Sequence, residues 1–77
     1  MIVVTIEGGL VRSISSDDPA EQGRQVVVID YDAAEGAEPE EVHKVPQGDG
    51  EAEDATIDRQ EIGVLYGPIA DYLRTLT

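Results

Sequence analysis

The side chains able to do chemistry in this chain are overwhelmingly carboxylates. Seventeen Asp and Glu face five Lys and Arg in 77 residues, a formal charge of −12 with the single histidine neutral. The acids are also concentrated: from Asp30 to Asp54 there are ten, against one cation, Lys44, so that window holds about −9 of the total. A small polyanion repels DNA, RNA and anionic membrane surfaces and is drawn to basic ones. Side chains on one face of a strand repeat at roughly 6.6 Å, from two rises of about 3.3 Å. That is near the spacing of neighbouring phosphates on a nucleic-acid strand, whose axial rise is about 3.4 Å per nucleotide. Asp30 and Asp32 have this i, i+2 relation, and Glu51 and Glu53 repeat it. A protein that normally releases counterions on binding DNA would accept such a surface as a substitute. The expected contact residues are Asp30, Asp32, Glu35, Glu38, Glu40, Glu41, Glu51, Glu53 and Asp54. The competing reading gives the same charges only a role in solubility.

Other chemistries fare worse. Asp30, Asp32, Glu38 and Glu41 fall at positions 1, 3, 9 and 12 of a calcium-binding loop, but Glu35 stands where that loop needs glycine and Ala34 occupies position 5. A second loop from Asp49 has Gln60 in place of the final carboxylate. No specific metal site, and no cofactor, is expected. His43 is the only histidine, and Ser13, Ser15 and Ser16 have no second histidine with which to build a triad. The glycines at Gly8-Gly9 join two strands, and those at Gly48 and Gly50 are flanked by acids that would repel phosphate. No enzyme activity is expected. Arg12, Arg24, Lys44, Arg59 and Arg74 are dispersed among acids, which argues against direct nucleic-acid binding.

These residues must be positioned by one small domain, 1–77, whose apolar stock is aliphatic, with Tyr31, Tyr66 and Tyr72 as its only aromatics. The absence of cysteine excludes disulfides, zinc–thiolate sites and thiol catalysis, and fits a cytoplasmic protein. No signal peptide is expected, and no run approaches the roughly 18 apolar residues of a membrane span.

Met1 to Glu7 and Leu10 to Ser16 read as a hairpin turned at Gly8-Gly9. Tight pairing would put Ile2, Val4, Ile6 and Val11 on the core face and Val3, Leu10 and Ile14 on the other. Asp17-Asp18-Pro19 marks a loop. Arg24 to Tyr31, with four β-branched residues in a row, reads as a central strand covered on both faces. Asp32 to Glu41 reads as a surface loop in which Glu38 to Glu41 can start a helical turn behind Pro39. Val42 to Val45 is a brief strand, Gln47 to Asp54 an acidic flexible loop, and Ala55 to Glu61 a further strand with Ile57 inward. A short helix, Pro68 to Leu76, would cover the sheet with Ile69, Tyr72, Leu73 and Leu76. The expected fold is α+β: a small antiparallel sheet of four or five strands with a short C-terminal helix.

The strings IVVTIEGGLVRSI (Ile2 to Ile14), VVVIDYD (Val26 to Asp32) and VPQGDG (Val45 to Gly50) resemble a loose group of short acidic uncharacterised proteins encoded by bacteria, plasmids and phages. In size and acidity the chain is also similar to phage anti-CRISPR proteins, several of which are implied to occupy a DNA- or RNA-binding surface of a CRISPR effector. That resemblance implies an inhibitor from a mobile element whose partner is a basic, nucleic-acid-binding protein surface, with a CRISPR effector subunit as the leading candidate. The alternative is a small protein–protein interaction module, or a homo-oligomer, using the hairpin face or a sheet edge.

Overall fold

The computed structural model describes residues 1–76. Its strands are β1 (Ile2–Glu7), β2 (Leu10–Ser16), β3 (Gln25–Asp30), β4 (Val42–Pro46), β5 (Ala52–Glu61) and β6 (Gly63–Val64), followed by one helix, α1 (Gly67–Arg74). Two 3-10 turns, Asp32–Gly36 and Pro39–Glu41, lie between β3 and β4. The class is α+β, as the patterning indicates. The strands divide between two three-stranded sheets, ordered β1-β2-β6 and β3-β5-β4. β1 and β2 pair antiparallel, as do β4 and β5, whereas β6 joins β2 in parallel. The chain forms two compact units, one of Met1–Val26 with the residues from Gln60 onward, the other of Val27–Arg59.

In the first unit the hairpin turns where the glycines require it. Gly8 and Gly9 both have positive φ, 60° and 77°, the requirement of a type I′ turn. Glu7 faces Leu10 and Ile6 faces Val11, but the register then shifts, so that Thr5 faces Ser13 and Val4 faces Ile14. This bulge corrects the expected faces, because directly opposed residues share a side of the sheet. Ile14 therefore joins Val4 rather than opposing it, and it is buried with Ser16. Ile2, Val4 and Ile6, expected in the core, remain 50%, 53% and 67% exposed. They sit on an edge strand with a neighbour on one side only.

The core of this unit consists of Ile14, Ile62, Leu65 and Ala70. Ser16 closes it: its Oγ donates to Glu21 Oε1 at 3.0 Å and accepts the Asp18 N–H at 3.0 Å. Its carbonyl accepts the Leu65 N–H at 3.0 Å and the Gln22 side-chain amide at 2.9 Å. Helix α1 begins with Pro68 in its first turn. Its packing differs from expectation, for Ala70 is buried and Leu73 half-buried while Ile69, Tyr72 and Leu76 are exposed. A residue step turns a helix by about 100°. The small Ala70, one step from Ile69, therefore marks the face that packs, and the larger apolar stripe is left outside.

In the second unit Ala55 is the one buried apolar residue among those described. The β-branched run of β3 lies at a sheet edge, not at the centre. Val27 and Ile29 are half exposed, with Val26 and Val28 partly covered. β propensity accounts for the strand, but burial on both faces needs cover on each, and here Val27 and Ile29 remain open. Ile57 is likewise exposed and Ala55 takes the inward place.

Candidate acidic interface

All nine of the acids expected to make contacts fall within the second unit. Asp30 ends β3 half-buried, and its Oδ1 accepts the backbone N–H groups of Asp32 at 3.0 Å and Ala33 at 3.1 Å. It works as a local Asx turn that starts the first 3-10 turn. The intervening Tyr31 has helical angles, φ −74° and ψ −30°. The extended 6.6 Å spacing expected of Asp30 and Asp32 therefore does not apply to them. Asp32 and Glu35 lie on the first 3-10 turn, Glu38 precedes the second, and Glu40 and Glu41 are on it; all five are exposed. Pro39 opens the second turn because its fixed φ suits a first helical position and its missing N–H is not needed there.

The second acidic stretch is more ordered than a flexible loop. The reversal is confined to Gln47–Glu51, closed by the Gln47 N–H to the Glu51 carbonyl at 2.8 Å and by Asp49 Oδ1 accepting the Glu51 N–H at 2.9 Å. β5 already begins at Ala52, where Pro46 faces Ala52, Val45 faces Glu53 and Lys44 faces Asp54. Glu53 and Asp54, as successive strand residues, point to opposite faces. Asp54 is ion-paired with Lys44 directly across the ladder. The structure thus groups Asp32, Glu35, Glu38, Glu40 and Glu41 in one short segment. It commits Asp30 to the backbone and Asp54 to a cation, and separates Glu53 from Asp54.

An open groove of about 660 Å³ lies between that segment and the β4–β5 ladder. Ala33, Gly36 and Ala37 line it from the first turn, Glu40 and Glu41 from the second, and His43, Thr56, Ile57 and Asp58 from the strands. This lining mixes apolar residues, Ala33, Ala37 and Ile57, with the carboxylates Glu40, Glu41 and Asp58, a composition that suits the stem and the head of a Lys or Arg side chain. Asp58 is absent from the expected contact set. The signal for it was alternation, since Asp54, Thr56 and Asp58 share a strand face once β5 is extended back to Ala52. Among the described residues no group of three His, Cys, Asp or Glu side chains is placed to hold a metal ion. No described helix is long and apolar enough to cross a membrane.

A different ionic knot forms in the first unit. The Met1 ammonium lies 3.0 Å from Asp17 and 3.7 Å from Glu21, and Arg74 reaches Asp17 at 3.0 Å and Asp71 at 3.0 Å. The hydrogen bond from the Met1 ammonium holds the Asp17 carboxyl below its ordinary range, with help from Arg74. The same bond raises the amine. These groups pair with one another at the surface of the first unit.

The second unit carries eleven carboxylates against Lys44 and Arg59, a formal −9, whereas the first carries six against three cations, a formal −3. The chain matches no family model, no curated protein and no solved structure.

Proposed function

We propose that this chain is a non-enzymatic acidic binding protein that occupies a basic, nucleic-acid-binding surface of a partner, in the manner of a DNA mimic. The observation that carries the reading is the run of five exposed carboxylates, Asp32, Glu35, Glu38, Glu40 and Glu41, with no cation between them. The 3-10 turns hold this run beside a groove that suits basic side chains. Binding would draw on the counterion release that the partner otherwise gains from phosphate. Similarity in size and acidity to phage anti-CRISPR proteins makes a CRISPR effector complex the partner class to test, with a mobile element as source and the cytoplasm as the site of action.

A second reading, a small protein–protein interaction module, is favoured by the apolar display of the first unit. There Val64, Tyr66, Tyr72 and Leu76 are all more than half exposed. Salt separates the two readings. In a pull-down from bacterial lysate carrying CRISPR effectors, washed at graded salt from 50 to 500 mM, the Debye length falls roughly threefold. A mimic releases its partner across that range. A partner retained unchanged at the highest salt contradicts mimicry and points to the apolar surface.

A further inference from the structure

The geometry points to a second copy of this chain as the occupant of the open edge of β1, paired antiparallel about a two-fold axis through Val4. β1 is an end strand in the order β1-β2-β6, and from Ile2 to Ile6 it carries no charge, no proline and no glycine. Those are the devices that normally block edge-to-edge pairing. Of the other end strands, β4 carries Lys44 and Pro46 and β6 is two residues long, while β3, also at an edge, ends in Asp30 and leads into the −9 unit, where a like-charged copy is repelled most. For a chain of −12, an uncharged strand is where a like-charged copy can approach at least electrostatic cost.

Self-complementarity selects the register. A two-fold axis normal to a sheet requires one residue to face its own copy, so that facing side chains share a side. With Val4 at the axis, Ile2 faces Ile6 of the second copy, Val3 faces Thr5 and Val4 faces Val4, and every facing pair is β-branched. Moving the axis to Thr5 sets Glu7 against Val3, and moving it to Val3 leaves Ile6 without a partner. The chosen register also makes Ile2, Val4 and Ile6, each at least half exposed in the single chain, continuous with the same three residues of the second copy. Glu7, beyond the paired stretch, is already matched by Arg12 at 3.6 Å. This inference does not rest on the proposed function, and it responds to salt in the opposite sense: screening strengthens association of two anionic copies and weakens binding to a basic partner.

The chain has no cysteine, so a single introduced thiol reports the register. Opposed strand residues have Cα atoms about 4.5 to 5.5 Å apart, within disulfide reach. Under mild oxidation the full chain bearing Val4→Cys is expected to form a covalent dimer about tenfold faster than Val3→Cys or Thr5→Cys, since only position 4 meets itself. Sedimentation of the unmodified chain is expected to show a dimer that tightens from 50 to 500 mM salt, and V4K to be a folded monomer while V27K on β3 remains dimeric. Equal crosslinking rates at positions 3, 4 and 5, a monomer at every concentration, or dissociation by V27K but not V4K would each overturn the inference.

Discussion

The two compact units distribute core and charge in opposite ways. Among the described residues, the first holds four of the five buried apolar ones, Ile14, Ile62, Leu65 and Ala70, at a formal −3. The second buries Ala55 alone and carries −9. A domain of this size has little stability to spare. Concentrating apolar burial in one unit lets the other display like charges whose mutual repulsion opposes compaction. Packing substitutions in the first unit are therefore expected to be felt as lost stability, and substitutions of the displayed carboxylates in the second as lost partner binding.

The largest expected effect tests the packing half of that contrast. Leu65→Ala or Ile14→Ala removes a buried side chain and is expected to cost about 2–5 kcal/mol in urea denaturation. Ile57→Ala, at an exposed site of the second unit, is expected to cost under about 1 kcal/mol. Equal losses would erase the distinction between the units. Ser16→Ala comes next, at about 1–3 kcal/mol, because the Asp18 N–H and the Glu21 carboxylate lose a buried partner.

The pH dependence of melting sharpens the contrast further. Asp17 titrates below its ordinary range in the folded chain, so its contribution is present above the usual carboxylate pKa and is lost as pH falls through the lowered value. The Met1 amine is raised above 8.0, so its contribution is complete below that value and is lost as pH rises through the raised one. Asp17→Asn should flatten both limbs of a melting curve followed against pH. If the limbs persist in that variant, the knot is not their origin. Smallest is Lys44→Ala, which breaks an exposed ion pair across β4 and β5 and should change stability by about 0.2–1 kcal/mol. A larger loss would mean that the charged unit depends on that pair for its order.

Local signals in the sequence read well. Gly8-Gly9 indicated the hairpin and the bounds of β2, and Pro39 indicated the short turn that carries Glu40 and Glu41. What escaped the sequence was set by neighbours. The shift between Thr5 and Ile6 moves Ile14 to the other face, and nothing in the string of β-branched residues marks it. QGDGEAED is all loop by composition, yet pairing with β4 draws Ala52, Glu53 and Asp54 into β5. On α1 a small residue, Ala70, makes the close approach that a hydrophobic stripe would assign to Ile69 and Tyr72. For the candidate acidic surface, composition located the acid-rich segment, but the split between displayed carboxylates and those held by backbone or Lys44 required the ladder register and the turn at Asp30.

The central claim is that the displayed carboxylates stand in for phosphate. Its most direct test is competition: labelled DNA bound to a purified CRISPR effector complex is titrated with this chain, and with a variant carrying Glu35→Gln, Glu38→Gln, Glu40→Gln and Glu41→Gln, at 50 and 500 mM salt. The account predicts that the native chain displaces DNA at low salt, that high salt removes the effect, and that the variant is at least about tenfold weaker, from losing four counterion-releasing charges. Displacement equally strong in the variant, or none across a set of such complexes, would contradict it.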